Sequence, residues 1–299
     1  MPRQETTHVA MPAVFPACNG LTLARPENLT APANDSYGEI LLGGLNTACL
    51  SREGLADLML QDCLNARTKD QTCPKLVFAC NGHTIALAAM NKGIRATFEQ
   101  ADIIHADSQA AVFASRLTNT PIPERSATTD FIHDVSRLAA RHGLRFFLLG
   151  ASQEANALAA QALMKTHPGL QIVGQRHGHF GRDEEEKICD QINNARPDVI
   201  WVGLSVPLEY EFSVRNKTRL RAGWLVTCGG CYNFVTGAYK RAPEWVQAIG
   251  MEWLFRLARE PRRLFWRYAV TNPIAIFLLL TRTSSPSAKP TKSTKRASR

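Results

Sequence analysis

The chain has 299 residues and a formal net charge of +9, a length that suits one large domain or two modest ones. An apolar fraction of 45% and a charged fraction of 20% are typical of a globular protein with a sizeable core. They exclude a disordered or collagen-like chain.

The positive charge is concentrated at one end of the chain. Residues 240–299 contain 13 Lys and Arg but only three acids, which gives this end a charge of +10. The other 239 residues contain 22 bases and 23 acids and are close to neutral. Because phosphate binding needs positive charge over the binding face, this distribution argues against a body that wraps nucleic acid and leaves only the basic tail for such a role. It favours a local anionic partner at the C-terminus.

The sequence predicts neither a secretory signal nor a transmembrane helix. Residues 1–12 lack a basic segment followed by an apolar run, and the best apolar run, residues 273–280, is too short to span a membrane. The eight cysteines are expected to be reduced, mostly structural thiols in a cytoplasmic protein. Cys228 and Cys231 have redox or zinc spacing, but no second close Cys/His pair accompanies them, so a structural role is favoured.

In chain order, residues 1–36 predict a loosely ordered extension. From residue 37 onward, apolar runs of strand length alternate with helical patterns. Strands are predicted at 76–80, 103–105, 145–149, 171–173, 199–204 and 224–228, and helices at 109–117, 129–142, 154–166, 184–194 and 208–216. This alternation predicts an α/β core over residues 37–240, built on a Rossmann-like open, mostly parallel sheet with flanking helices.

Residues 241–282 predict a basic amphipathic helical appendage. Its bases recur at helical spacing and are interleaved with Trp and Leu, a composition that suits an anionic lipid surface or a diphosphate. A solvated cationic face on a packed helix is the alternative. Pro261 is expected to divide the segment into two short helices, and residues 283–299 are expected to form a disordered basic tail.

Open α/β sheets bind ligands at the carboxyl ends of their strands, so the loops there are the candidate site. Asp107 follows a predicted strand and precedes a helix; it is either a general base or the N-cap of that helix. Gly150 opens a turn whose amides can receive phosphate. Glu209 is either a ligand for sugar hydroxyls or a first-turn acid. Gly229 and Gly230 form either a close backbone approach to a ligand or a tight turn.

Several site types are disfavoured. The histidines form no HExxH motif, which argues against catalytic zinc. The chain also lacks an Asp-x-Asp pair at a strand end for a metal-held sugar nucleotide, and it lacks the GxGxxG and GxxxxGK[ST] loops of dinucleotide and P-loop sites. No metal and no cofactor are therefore predicted.

The most specific motifs of the chain lie near its C-terminal end. They are Arg241-Ala-Pro-Glu-Trp245, Gly250-Met-Glu-Trp-Leu-Phe-Arg256-Leu and Glu260-Pro-Arg-Arg263-Leu-Phe-Trp-Arg267-Tyr268. Smaller motifs fall in order upstream, at Ala106-Asp107, Glu124-Arg125, Gly203-Leu204 and Gly229-Gly230. With these motifs, residues 76–268 resemble the WecG/TagA/CpsF family of bacterial glycosyltransferases.

The resemblance implies an inverting, metal-independent glycosyltransferase on the inner face of the plasma membrane. Its expected donor is a UDP-sugar, and its expected acceptor is a saccharide linked to undecaprenyl diphosphate. The expected partners are an anionic membrane surface and further copies of the chain in a homo-oligomer, but no nucleic acid. Asp107 matches the proposed general base. The substrate-binding residues are predicted to be Asn81, Arg125, Gly150, Glu209, Gly229, Gly230, Arg256, Arg263 and Arg267.

The sequence departs from the family pattern mainly in strand-end loops. Ser108 replaces the glycine of the family's ADG motif, Glu209 replaces an amide, and Ala79 replaces a threonine. We expect a divergent member with an altered donor or acceptor. The resemblance implies UDP-N-acetylmannosamine as the best-known donor of the family, and UDP-glucose for an exopolysaccharide is the rival. The alternative is a degenerate member that binds lipid-linked glycan or a synthase complex.

Overall fold

The structure is a computed structural model that describes residues 37–69 and 73–285. The predictions for residues 1–36 and for the tail beyond residue 285 lie outside these ranges, and the domain boundaries stay predictions.

A small hairpin opens the described chain. Its strands, β1 (Glu39–Leu42) and β2 (Leu45–Ala48), pair antiparallel. Gly43 and Gly44 connect them with φ values of +57° and +93°, the backbone of a tight hairpin turn that glycine adopts without steric cost. Helix α1 (Arg52–Thr68) follows, and the Ser51 hydroxyl caps it by accepting from the Gly54 amide.

Six parallel strands form the central sheet in the order β4-β3-β8-β7-β5-β6. They are β3 (Lys75–Cys80), β4 (Ile103–Ala106), β5 (Arg145–Gly150), β6 (Gln171–Arg176), β7 (Val199–Gly203) and β8 (Trp224–Thr227). All six match predicted strands, and the predicted open parallel sheet is confirmed. The pairs β3–β4 and β5–β6 lie at opposite edges, with β7 and β8 between them.

Helices cover both faces of the sheet, so strand residues are buried on both sides and read as continuous apolar runs. In β5, Phe147 and Leu149 pack into the core cluster on one face, and Phe146 and Leu148 into the cluster on the other. The helices are α2 (Gly82–Met90), α3 (Lys92–Phe98), α4 (Gln109–Ser115), α5 (Thr128–His142), α6 (Gln153–Thr166), α7 (Glu185–Ala195), α8 (Leu208–Asn216) and α9 (Cys231–Val235).

Three further helices form the C-terminal segment, α10 (Glu244–Ala248), α11 (Glu252–Arg259) and α12 (Pro261–Thr281). The break before Pro261 is as predicted, because proline suits the first turn of a helix. The second helix is not short as predicted: it continues through Pro273 for 21 residues. It packs against α2, and the Cβ of Ala275 lies 3.3 Å from where a side chain on Gly82 would begin.

The end of α12 is attached to the opening hairpin. Ser284, in the tail predicted to be disordered, pairs antiparallel with Leu41, and the Gly44 amide donates to the Arg282 carbonyl at 3.0 Å. By length and composition, α12 is long and apolar enough to cross a membrane, with a mean hydropathy of 1.4 and a third of its apolar window buried. The sequence prediction excluded such a helix because it considered only uninterrupted apolar runs.

Candidate active site

The predicted base, Asp107, lies half-buried at the carboxyl end of β4. Its Oδ1 accepts from the Thr128 backbone amide at 2.8 Å, and its Oδ2 accepts from Asn81 Nδ2 at 3.1 Å. Ser108, not Asp107, caps α4, since its hydroxyl accepts from the Ala111 amide. The N-cap alternative for Asp107 at α4 is therefore wrong. The carboxylate instead receives the first amide of α5, and two donors fix its orientation.

Asn81 links the loop after β3 to this carboxylate. Its Oδ1 accepts from the Thr84 amide at 3.2 Å, while the Thr84 hydroxyl accepts from the Asn81 amide at 2.9 Å. This reciprocal pair is a capping box at the start of α2. Because the cap immobilises the Asn81 side chain, its amide group is held in place to donate to Asp107.

Arg125 lies against the same loop but uses its guanidinium on protein groups. Its Nε donates to the Asp107 carbonyl at 2.8 Å, and its Nη2 forms an ion pair with Glu252 Oε2 at 2.7 Å. Glu252 opens α11, so this pair ties the C-terminal segment to the loop that carries the predicted base.

Arg241 completes the connection. Its Nε pairs with Glu252 Oε1 at 3.0 Å, and its Nη1 donates to Asp130 Oδ1 at 2.8 Å and to the Thr129 hydroxyl at 2.6 Å. Burial lowers the pKa of Arg241, but its ion pairs with Asp130 and Glu252 outweigh this effect and raise the pKa overall. The four charged residues Arg125, Glu252, Arg241 and Asp130 are hereafter called the clamp.

Sequence reasoning assigned no role to three members of the clamp. Arg241 and Glu252 were recognised only as letters of the C-terminal motifs, and Asp130 was not singled out. The sequence offered one signal, since residues of opposite charge stand inside motifs in separate parts of the chain. Charged side chains that become buried on folding are usually paired.

Four glycines at or just after the strand ends bring their backbones close together. They are Gly150, Gly178, Gly203 and Gly229, hereafter called the glycine floor. A Cβ on Gly150 would lie 2.2 Å from the Gly203 carbonyl oxygen, and one on Gly203 would lie 2.8 Å from the Gly229 carbonyl oxygen. A Cβ on Gly178 would lie 3.0 Å from the Gly150 Cα. Neighbouring loops therefore approach one another so closely that these positions exclude side chains. Gly230 differs, since a Cβ there would meet nothing within 4 Å.

Glu209 lies beneath this floor in the first turn of α8 and is only 2% exposed. Its Oε2 accepts from the Gly229 amide at 2.8 Å. Burial, together with the nearby Asp107 charge, raises the pKa of Glu209 to about 8. The carboxyl therefore retains a proton near neutral pH.

A cavity of about 270 Å³ lies beside the C-terminal segment. Arg256 and Arg259 belong to α11 and stack on aromatic rings of the cavity wall, at 5.3 Å from the centroids of Phe234 and Phe255 respectively. The wall also carries Lys240. The cavity is lined by Phe234, Ala238, Tyr239, Lys240, Phe255, Arg256, Arg259 and Glu260.

Two predicted site residues of α12, Arg263 and Arg267, lie outside this lining. Arg263 pairs with Glu260 and lies 5.9 Å from the centroid of Tyr239, which does line the cavity. Arg267 is half-buried beside Tyr268, and burial lowers its pKa. Since the helix break separates α11 from α12, the arginines do not share the single helical face that their spacing suggested.

The cysteines and acids supply no other chemical centre in the described part of the chain. Cys228 and Cys231 are buried free thiols, and burial raises the pKa of both. Among residues 37–69 and 73–285, no three His, Cys, Asp or Glu side chains converge to hold a metal ion.

Comparison with known proteins identifies the family of the chain. The profile of the glycosyl transferase WecG/TagA/CpsF family matches residues 40–289. A protein of Bacillus spizizenii named N-acetylglucosaminyldiphosphoundecaprenol N-acetyl-beta-D-mannosaminyltransferase is 28% identical over 221 residues, which cover 74% of this chain and 84% of that protein. Proteins with the same name from Bacillus subtilis and Staphylococcus aureus are 24% and 25% identical; the matches cover 71% and 69% of this chain and 81% and 82% of those proteins. Because the family match spans most of the chain, the protein belongs to the WecG/TagA/CpsF family and is a glycosyltransferase.

Proposed function

We propose that the protein transfers a sugar from a UDP-sugar to a saccharide linked to undecaprenyl diphosphate, with inversion and without an essential metal, in the synthesis of an exopolysaccharide or another surface glycan. The names of the relatives specify a diphosphoundecaprenol acceptor, which supports this substrate class. The observation that carries the proposal is the Asp107 carboxylate, oriented by Asn81 and Thr128 at the sheet edge where open α/β sheets bind ligands.

Asp107 acts as the general base of a single displacement. Its Oδ2 accepts one hydrogen bond, from Asn81, and so keeps a lone pair for the acceptor hydroxyl. The hydroxyl oxygen bonds to the anomeric carbon from the face opposite the diphosphate, and its proton passes to Asp107. The bond between the anomeric carbon and the phosphate oxygen breaks, and its electron pair leaves with UDP.

Positive side chains stabilise the diphosphates. Lys240, Arg256 and Arg259 line the cavity, while its acid, Glu260, is paired with Arg263. Cations that are fixed before reaction stabilise developing negative charge without reorganisation. We assign Arg256, Arg263 and Arg267 to the substrate diphosphates, and Arg125 and Asn81 to the substrate beside Asp107.

The glycine floor receives the donor. Gly150, Gly229 and Gly230 lie at the carboxyl ends of β5 and β8, where the absence of side chains lets a phosphate or sugar approach backbone amides. The positive φ of Gly229, +51°, gives the turn a conformation that other residues rarely adopt.

Helix α12 holds the enzyme on the membrane surface. One side packs on α2, and the other exposes an apolar stripe at helical spacing that includes Trp266 (74% exposed), Phe277 (63%) and Leu280 (65%). Since the helix end is tied to the hairpin through Ser284 and Arg282, we place α12 along the inner membrane face rather than across the bilayer. The bases of the C-terminal segment add attraction to anionic lipid.

The test is UDP release from candidate UDP-sugars in the presence of undecaprenyl-diphosphate-linked N-acetylglucosamine. Wild-type protein should release UDP with at least one donor only when the acceptor is present, and Asp107→Asn should not. Absence of release from every donor, with folded protein, would overturn the enzyme proposal.

A degenerate family member is the second candidate. It is favoured by Ser108 and Glu209, which replace a glycine and an amide of the family pattern. Binding of UDP without turnover, measured by titration calorimetry in the same donor screen, would select this candidate.

A further inference from the structure

Glu209 occupies a position that connects two strand-end loops. It stands in the first turn of α8, which follows β7, and accepts from Gly229 after β8 at 2.8 Å. Its own amide donates to the Ser205 carbonyl after β7 at 3.0 Å, which ties the residue to that loop. Only 2% of its surface is exposed, so the side chain contacts the two loops from the protein interior.

The Gly229 turn leads directly into the cavity wall. Gly230 is the N-cap of α9. The Arg256 guanidinium stacks over the ring of Phe234 in this helix, 5.3 Å from the ring centroid. A shift of the turn therefore moves α9, the aromatic wall and the cation stacked on it.

The groups that act electrostatically on Glu209 carry no compensating positive charge. They are Asp107 after β4, Tyr210 in α8, Cys228 after β8, and Cys231 and Tyr232 in α9. Burial raises the pKa of the two thiols and the two phenols, and Asp107 is the one carboxyl group among these neighbours. Ionisation of Glu209 places a negative charge near the Asp107 carboxyl group.

We propose that Glu209 is a positioning residue for sugar transfer: its carboxyl group fixes the Gly229–Gly230 turn against the loop after β7, and so sets the position of the Phe234–Arg256 wall. This role depends on the proposed function at one point, namely that the Phe234–Arg256 wall binds substrate.

Hydrogen exchange measured on the apo protein tests the positioning directly. Glu209→Ala and Glu209→Met both remove the acceptor of the Gly229 amide and should speed amide exchange of the segment 228–235 by about two- to tenfold, the equivalent of one hydrogen bond. Glu209→Gln keeps a carbonyl acceptor and should exchange like wild type, as should the matched control Glu211→Gln, at a half-exposed acid of the same helical turn. Unchanged exchange in Glu209→Ala and in Glu209→Met overturns the proposal. If Glu209→Ala does not fold, Glu209→Met alone decides it.

The pH profile separates positioning from simple structural support. Wild-type kcat/KM should fall as the pH rises through about 8, because the ionised carboxyl group repels the anionic donor; Glu209→Gln should lack this inflection. An identical profile in the variant contradicts the proposal. Because the exchange measurement needs no substrate, an enzyme that turns over no donor would refute the proposed function while leaving the positioning of the turn testable.

Discussion

Removal of Glu252 should release the C-terminal segment from the predicted base. This glutamate forms the two central ion pairs of the clamp, with Arg125 at 2.7 Å and with Arg241 at 3.0 Å. Its side chain is 14% exposed, and those of Arg125 and Arg241 are 19% and 23% exposed. These pairs are thus neither fully buried nor fully hydrated.

The magnitude follows from this intermediate burial. Breaking a buried ion pair costs about 3–5 kcal/mol, and an exposed pair contributes about 0–1 kcal/mol. For Glu252→Ala we expect the free energy of unfolding to fall by about 2–3 kcal/mol, between these limits. Glu252→Gln keeps one hydrogen bond and should lose about half as much. Activity should fall with stability, because Arg125 loses the partner that holds it beside Asp107.

Urea unfolding and limited proteolysis measure the two consequences. Cleavage within α11 should accelerate in Glu252→Ala under conditions where the sheet remains intact. Glu244→Gln, an exposed glutamate in the neighbouring α10, is the matched control and should behave like wild type. A Glu252→Ala protein with wild-type protease resistance and a free energy of unfolding within about 0.5 kcal/mol of wild type would refute the reasoning.

Further predictions concern the base, its support, the membrane and pH. Asp107→Asn should reduce kcat by about a hundredfold or more without loss of fold; a wild-type rate of UDP release rejects the assignment. Asn81→Ala should lower the free energy of unfolding by about 1 kcal/mol through the lost cap and lower kcat by about tenfold. Lower stability with an unchanged kcat would show that Asn81 caps α2 without supporting the base. Trp266→Glu combined with Phe277→Glu should reduce flotation with anionic vesicles by tenfold or more, whereas the exposed Leu158→Glu on α6 should not; equal flotation of all three proteins argues against the α12 surface. Glu209 has a pKa raised from 4.5 to about 8, so folding takes up a proton and wild-type stability should decline by a few kcal/mol from pH 5 to pH 8. Glu209→Gln should lack this decline in urea titrations, and parallel curves for the two proteins would contradict it.

The sheet was predictable from sequence because its strands are apolar on both faces. Val199–Gly203 is buried at every position, and such runs between helical patterns leave few alternatives. Helix α2 was not predicted. It is short and rich in alanine, and its buried residues, Thr84, Ile85, Ala86 and Ala88, give little amphipathic period.

The candidate site was predictable only in part. The position of Asp107 after a strand indicated the correct edge of the sheet, but the choice between base and cap depended on where Ser108 points. The clamp joins Arg125 to Glu252, 127 residues later in the chain. No local period or spacing connects such residues, so their pairing becomes visible only when α11 has folded onto the loop after β4.

The glycine floor restricts how this enzyme can acquire a new donor. Gly178, Gly150, Gly203 and Gly229 approach one another in series, so a side chain at one position displaces the backbone at the next. A single replacement would distort several loops together instead of reshaping one subsite. Under the proposed function, selectivity is therefore open to change through residues around the floor, whereas the floor itself stays common to any donor that the protein accepts.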